Sequence, residues 1–474
     1  MMAKANETQV PTETEQNNLK IFDKVSNSVN INHNNCSYCN KPFTEELWCK
    51  ECDPHRMIEG WTSGNNDVDK FIKDTIYDMR NVDEKYKAKF LEWVPFDRFK
   101  DINQIGVGGF AKVYSATWID GKAGYTRQDD LSWKKKEPQP IKVALKRLNG
   151  SENMSVEYLN ELKVHWNYYK ANDIVALKFY GMTKDPETKE FMMILLFANE
   201  GNLRSVLSHN FNNLLWEDKF LYLEWLAGGL NYLHYLGYFH KDLHSGNILQ
   251  ENSRTYVSDF GLSGLSNKQK SDDKICGVLP YIAPEVLNGE PYTLSSDIYS
   301  FGVIMTELSS GIPPFHERKH DTTLALDICN GLRPNFGKGT PEIYKKLAYK
   351  CMNANSNQRP TASELHDSVA FLYCSCNGYK EYQEYEKFGY KGKEIKAMFK
   401  EADKEIPNIS TSYEKNPNAI YTSRLFTFNN LTKPINSSLI TSYLDDEGCP
   451  DPLLFDLEVD SSEDDANNKD DFNY

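Results

Sequence analysis

The chain has 474 residues, which at roughly 150 per domain sets an expectation of about three structural units. Hydrophobic residues make up 40% and charged residues 26%, which argues for a sizeable core and against wholesale disorder. The net charge is −14, yet Asp456 to Tyr474 alone holds eight acidic residues and one lysine, so half the imbalance sits in one terminal segment. No uniform basic field marks nucleic acid as a partner. The longest apolar run, Phe191 to Ala198, is far shorter than the ~20 residues that span a bilayer. The opening MMAKANETQV lacks the basic start and apolar stretch of a secretory signal.

Residues 1–35 contain eight asparagines and few aromatics, the composition of a flexible head. Ten cysteines are sparse for a disulfide framework in a chain this long, but Cys36, Cys39, Cys49 and Cys52 fall within 17 residues. Two CxxC knuckles can place four thiolates tetrahedrally around Zn²⁺, which predicts a small Cys₄ zinc knuckle over 36–55, with His33 and His55 as alternative ligands. A closed site of this kind leaves no open position for chemistry, so its role would be folding or recruitment of a protein partner. A helical linker is expected over 56–99, because Val68, Phe71, Ile72, Ile76 and Met79 recur near helical spacing. The aromatic stretch LEWVPFDRF at its end should pack onto the domain that follows. No repeat of 20–50 residues points to a solenoid.

From Ile102 to Ala116 the sequence INQIGVGGFAKVYSA reads as strand, glycine turn, strand. Around Ile105, the glycines Gly106, Gly108 and Gly109 would let backbone approach phosphates closely; alone, the pattern is equally a hairpin turn. The third glycine of GxGxxG is Ala111 and a strand follows, which argues against a dinucleotide-binding site. Residues 120–140, with Trp133 before three lysines, are expected to be a solvated loop. In the strand Ile141 to Leu148, alternation puts Ala144 and Lys146 on one face and Val143 and Leu145 on the other. Val113 and Ala144 could then sandwich a flat base while Lys146 meets phosphates, or Lys146 could simply snorkel at an edge. Downstream, Leu159, Leu162, Trp166 and Tyr169 form a helical face; Glu161 and Glu157 both lie on that helix as candidate partners for the lysine.

The next motifs are HKDLHSGN (His240 to Asn247), DFG (Asp259 to Gly261) and APE (Ala283 to Glu285). Together with IGVGGFAKVY and VALK, in that order, they resemble the signature set of protein kinases. HSGN and LPYIAPEV resemble the tyrosine-kinase-like family in particular, and the cysteine head with WTSGN (Trp61 to Asn65) resembles an expanded fungal group within it. The resemblance implies an α+β, two-lobe protein-kinase fold over 100–373, with a β-rich N-lobe to about Phe197 and a mainly helical C-lobe. A flexible, low-complexity acidic tail is expected over 374–474. The implied activity is ATP-dependent transfer of the γ-phosphoryl group to protein hydroxyls, Ser or Thr, in intracellular signalling, cytoplasmic rather than nuclear.

By the same resemblance Asp242 is the catalytic base, and Asn247 and Asp259 hold Mg²⁺ (or Mn²⁺). Lys146 holds the α- and β-phosphates with Glu161 as its ion-pair partner. Ile105, Gly106, Gly108, Gly109, Val113 and Ala144 cover the nucleotide, Leu195 is the gatekeeper, the backbone of Leu196 to Ala198 meets the adenine edge, and Leu249 is the floor. Asp297 and the Glu285–Arg359 pair resemble structural braces. There are departures: Lys241 replaces the arginine of kinases controlled by loop phosphorylation, Val278 replaces a threonine that touches the catalytic aspartate, and His244 replaces a lysine. The loop from Leu262 to Cys276 offers Ser263, Ser266 and Ser271. The competing readings are a nucleotide-binding pseudokinase scaffold and a tyrosine or dual-specificity kinase.

Overall fold

The computed structural model describes residues 61–78, 89–108, 111–122, 125–127, 133–135, 137, 139–265, 275–428 and 431–444. The four clustered cysteines, Met79, Gly109, Ser266, Ser271 and the acidic end beyond 444 lie outside these residues. Where a solvated loop is expected between 120 and 140, Tyr125–Arg127 and Trp133–Lys135 instead pair as an antiparallel hairpin. It belongs to a unit separate from the rest.

In the larger unit, strands β1 (Glu92–Trp93), β2 (Phe99–Val107), β3 (Ala111–Trp118), β4 (Ile141–Leu148), β5 (Phe179–Lys184) and β6 (Phe191–Leu196) form one sheet. Its order is β1-β5-β6-β4-β3-β2, antiparallel except for the β1–β5 edge. Strand alternation decides its faces: Val143 and Leu145 join Phe99, Ala116, Trp118, Met192 and Ile194 in one core layer, while Ala144 and Lys146 face the other way. The register sets Val113 opposite Lys146 and Ala144 opposite Leu195.

Within the stretch expected to be a short amphipathic helix or helical linker, helix α1 spans Asn66–Asp78 and packs against the sheet. Val68, Phe71, Ile72 and Ile76 are buried on one stripe, as their spacing predicts. The WTSGN turn sets its start: Ser63 donates backbone N–H and hydroxyl to Asp69, at 2.8 and 2.5 Å. Trp61 stacks on Trp93 at 6.0 Å, and Leu91 N–H donates to Thr75 Oγ1 at 3.0 Å, tying the helix to the sheet edge. Helix α2 (Val156–Ala171) is N-capped by Ser155 and buries Glu161, Leu162, Val164, His165, Trp166 and Tyr168.

The second lobe is built on helices α3 (Trp216–Tyr235), α4 (Leu294–Ser310) and α5 (Ala362–Asn377). From Ser296 to Ser309 every residue of α4 is buried, which makes it a central helix rather than an amphipathic one. The hairpin of β7 (Ile248–Glu251) and β8 (Arg254–Val257) and the short β9 (Ile275–Gly277) carry the chain across the cleft side. Arg359 grips Glu285 through two parallel bonds of 2.7 and 2.6 Å, both groups buried.

The expectation of a flexible tail from residue 374 onward is corrected over 374–428 and 431–444. Helix α6 (Gly392–Ala402) packs on α5, with Ile395, Phe399, Ala402 and the following Ile406 buried. Their spacing is a helical stripe that averaging over an Asn- and acid-rich region conceals. Phe399 meets the rings of Phe220 at 4.8 Å and Trp216 at 5.2 Å, and Asp403 Oδ1 accepts the Trp216 N–H at 2.8 Å. Further on, β10 (Arg424–Phe426) pairs with β9, and Ile440 is buried within the helix Ser438–Leu444. Phe399→Ala is therefore expected to lower unfolding stability by about 3–5 kcal/mol in a denaturant titration. A loss of only a few tenths would mean that this segment is an appendage after all.

Candidate functional site

The site lies where the sheet and the helical lobe meet. Strand β4 delivers Lys146 to the cleft face, 7% exposed, because the alternation that buries Val143 and Leu145 leaves it no other direction. Helix α2 settles which glutamate it meets: Glu157 is exposed, whereas Glu161 is buried and bonds Lys146 Nζ directly. The same ammonium donates to Asp259 Oδ1 at 2.9 Å. Burial opposes the charge on Lys146, but Asp259 and Glu161 outweigh it and raise its pKa. Burial likewise raises Asp259, and Lys146 more than reverses this, so that carboxyl lies below its ordinary range. A side chain on Gly261 would stand 3.2 Å from Glu161 Oε2, so glycine there lets the loop after Asp259 approach the glutamate.

Asp259 sits at φ 68 and Lys241 at φ 69, both in the left-handed region that non-glycine residues avoid. Neighbouring contacts hold them there. Asp297 accepts the backbone N–H groups of His240 (2.8 Å) and Lys241 (3.1 Å), and its carboxylate also meets His234 Nε2 at 3.0 Å. The Lys241 ammonium lies over the rings of Phe239 and Tyr292, at 5.0 and 5.4 Å. Phe260 is buried between His165 (ring centroids 5.3 Å) and His240 (5.4 Å), and His165 also meets Phe179 at 5.2 Å. This aromatic stack runs from α2 to the loop that bears Asp242.

Asp242 is 7% exposed. Asn247 Nδ2 donates to its backbone carbonyl at 3.0 Å and to Oδ2 at 3.3 Å, and His244 Nε2 lies 3.6 Å from Oδ2. Its Oδ1 is buried with no hydrogen-bond donor among the described residues, and the nearby Val278 is a buried apolar residue. Oδ2 also accepts a bond from a residue that the sequence analysis passes over, Ser423, whose Oγ is 2.5 Å away. Ser263 is occupied otherwise, donating to the His240 carbonyl at 3.2 Å.

Around the mouth, apolar side chains are left partly open on both sides. Ile105 is 55% exposed and Val107 61%; Val113, Ala144, Leu196, Ala198 and Leu249 are half-buried, and Leu195 closes the back at 6%. Leu249 reaches the cleft through β7, paired with Asn202 just after the 196–201 connection. The Ala198 N–H has no partner among the described residues, as a backbone edge that receives a ligand requires. Gly106 lies opposite Val113, and Gly108 N–H donates to the Ala111 carbonyl at 2.8 Å. The cleft thus combines an apolar slot, a fixed cation between two carboxylates, and a buried carboxylate beside a hydroxyl. That is equipment for a flat, polyanionic ligand and for an oxygen nucleophile.

Sequence reasoning missed His165 and Ser423. His165 lies four residues after Glu161 and hides among apolar neighbours; Ser423 is preceded by no motif, and only the spaced aromatics Phe426 and Phe428 hint at a strand there.

Comparisons agree with the geometry. The model of the family described as protein tyrosine and serine/threonine kinase matches residues 99–369. A protein of Dictyostelium discoideum named as a probable serine/threonine-protein kinase is 32% identical over 248 residues, 51% of this chain and 15% of its own length. A second of the same printed description and organism is 29% identical over 292 residues, 59% of this chain and 40% of its own. The chain therefore spans less than half the length of these relatives.

Burial depresses the His165 pKa to about 4, partly offset by its bond to the Leu177 carbonyl at 3.1 Å. An unfolded histidine titrates near 6.5. Between those values the unfolded chain binds a proton that the folded chain refuses, so stability is intact above about pH 6.5 and falls as pH drops toward 4. His165→Leu should remove about 3 kcal/mol of that decline, measured as unfolding free energy against pH. An unchanged slope would contradict a neutral, buried imidazole at this position.

Proposed function

The chain belongs to the protein tyrosine and serine/threonine kinase family, and from that premise we propose that it transfers the γ-phosphoryl group of ATP to serine or threonine hydroxyls of proteins. The observation that carries this reading is the Lys146 ammonium bonded at once to Glu161 and Asp259, at the back of a cleft with an open apolar slot. Scaffolds that bind nucleotide without transfer commonly lose the lysine or a metal-binding aspartate, and this chain has both Lys146 and Asp259. The printed names of the Dictyostelium relatives support serine/threonine over tyrosine acceptors.

In this reading the exposed Ile105 and the half-buried Val113, Ala144 and Leu249 enclose the base, and the backbone of Leu196 to Ala198 meets its polar edge. By the resemblance the glycine turn, Gly106 and Gly108 with Gly109 outside the described residues, would cover the phosphates. Lys146 neutralises the α- and β-phosphates; Glu161 fixes the direction in which its ammonium points. Phosphoryl transfer passes through a loose transition state, so the protein's task is alignment and charge compensation more than covalent chemistry. Asp242 orients the acceptor hydroxyl and takes its proton. With Oδ1 lacking a donor, only Oδ2 is committed to neighbours, and it is the oxygen that faces a hydroxyl.

The donor set suits Mg²⁺ or Mn²⁺. Asp259 offers a carboxylate kept ionised by Lys146, and Asn247, whose Nδ2 is engaged with Asp242, turns its amide oxygen away from that bond. These are hard oxygen ligands, few in number, as a metal that also binds substrate phosphates requires. Bound there, the ion would neutralise charge that builds on the transferring group.

We further propose membership of the tyrosine-kinase-like family, on HSGN and LPYIAPEV, with an N-terminal four-cysteine group like that of its expanded fungal members. Cys36, Cys39, Cys49 and Cys52 would hold a structural Zn²⁺ and make the head a docking element for a protein partner, in the cytoplasm. Among the described residues no cluster of metal-ligating side chains forms such a site, and no helix is long and apolar enough to cross a membrane. Metal analysis of the purified chain should find one zinc per molecule, lost in Cys39→Ser; a zinc-free, folded chain would remove the knuckle from this account.

The decisive experiment uses γ-labelled ATP with Mg²⁺ and generic acceptor proteins, followed by phosphoamino-acid analysis. Label is expected on serine or threonine, and Asp242→Asn and Asp259→Asn should each reduce transfer by ~10³-fold or more, in line with the loss of a proton acceptor or a metal ligand. Label on tyrosine would overturn the acceptor class. Bound ATP without any label would favour the scaffold.

A further inference from the structure

The chain that follows the kinase domain returns to the cleft and lies along its acceptor side. His316 O accepts from Asn416 N (2.9 Å), Asn418 O accepts from His320 N (3.1 Å), and the Tyr421 hydroxyl donates to Pro314 O (2.8 Å). Arg204 lies 4.7 Å over the Tyr421 ring and donates to the Tyr421 carbonyl at 3.3 Å. Arg204 also bonds Ser245 Oγ at 3.1 Å, and Ser245 belongs to the loop that bears Asp242. Beyond Tyr421, β10 adds to β9 as an antiparallel strand, with Arg424 opposite Gly277, Leu425 opposite Cys276 and Phe426 opposite Ile275. Gly277 borders the same carboxylate: a Cβ there would stand 3.4 Å from Asp242 Oδ1. The residue just before this strand is Ser423, and its hydroxyl bonds Asp242 Oδ2 at 2.5 Å.

We propose that Ser423 is a phosphoacceptor of this kinase, modified within the same chain by ATP bound in the cleft. The segment around it is seated as an extended acceptor peptide would be, by strand addition to an open edge. Its hold on the domain comes from backbone pairing, Tyr421 and Arg424, whose Nη2 donates to the His320 carbonyl at 2.5 Å. None of these contacts uses the Ser423 hydroxyl, so a segment that only covered the groove would not require a nucleophile at this position. The hydroxyl points at the one carboxylate that the proposed mechanism assigns to the acceptor proton; the inference rests on that reading of Asp242.

The transfer balances without any further reactant. A lone pair of Ser423 Oγ attacks the γ-phosphorus, the new O–P bond forms, and the bond from the γ-phosphorus to the β,γ-bridging oxygen breaks. That electron pair leaves with ADP, and the hydroxyl proton passes to Asp242 Oδ2 and then to solvent. Being tethered, the acceptor needs no encounter with a second molecule. The product carries a charge of about −1.5 to −2 next to the Asp242 carboxylate. Repulsion then loosens β10 from β9 and opens the groove to protein substrates, so modification of Ser423 is also the step that releases the site.

The test uses the full chain, first treated with phosphatase and then given Mg²⁺ and ATP over a fifty-fold range of protein concentration. Phosphopeptide mapping and amide hydrogen exchange are read in parallel. Phosphate is expected at residue 423 with a first-order rate that does not change with dilution, absent in Ser423→Ala and in Asp242→Asn, and restored as phosphothreonine in Ser423→Thr. Exchange at Arg424 to Phe426 should speed up at least tenfold after ATP treatment of the wild type and not of Ser423→Ala. Label on generic acceptors with none at Ser423 would overturn the inference and leave the kinase reading intact. A Ser423 rate that rises in proportion to protein concentration would overturn transfer within one chain. The absence of label on every acceptor would overturn the kinase reading and this inference together.

Discussion

The arrangement of the cleft turns on one buried cation. Lys146 reaches from the sheet to a glutamate on α2 and to an aspartate on the loop of the other lobe, 113 residues further on, so three elements share a single charge. Two carboxylates around one ammonium leave a net negative charge, which burial alone would resist. Asp259 is 43% exposed at its side chain and opens toward the cleft, where in the proposed function a divalent cation would supply the compensating positive charge. Removal of Lys146 would leave Glu161 buried without its cation, and α2 would lose its electrostatic tie to the loop.

A second constraint operates on backbone. Lys241 and Asp259 both adopt left-handed conformations, each disfavoured by the order of 1 kcal/mol or more. Asp297 holds the first through paired N–H groups, and Lys146 and the Phe260 stack hold the second. Lys241 immediately precedes Asp242, and Asp259 is itself the second carboxylate of the site, so both strained positions bear on where these carboxylates point. The same loop is braced from below by a buried polar cluster in which Glu307 accepts from Ser245 (2.8 Å) and Tyr281 (2.5 Å). Arg204 links that cluster to Tyr421, so the returning segment is connected to the scaffold of the loop that bears Asp242 as well as to its edge.

Local patterns made much of this legible. Period-two alternation in IKVALKRL sends Lys146 into the cleft, and the glycine turn and the ordered motifs point to the same lobe architecture that the fold displays. Glu161 could not be separated from Glu157 by periodicity alone, because both lie on the same turn-related face; tertiary burial separates them. The segment after residue 374 reads as a tail because its composition is dominated by Asn, Tyr and charge, while its order depends on a few residues such as Phe399, which packs against Phe220 and Trp216 some 180 positions earlier. Ser423 was invisible for the same reason. A lone serine has no local signature, and its meaning arises from a contact spanning 181 positions. His165 gave no signal because a buried neutral imidazole is indistinguishable in sequence from a solvated one.

The central claim is that these charges are set for a metal-bound nucleotide and not merely for a nucleotide. The most direct measurement is the affinity for ATP with and without Mg²⁺, by calorimetry, in the wild type and in Asp259→Asn. The account predicts that Mg²⁺ tightens binding in the wild type by at least tenfold and that this gain disappears in Asp259→Asn. Equal affinity with and without the metal in the wild type would contradict it.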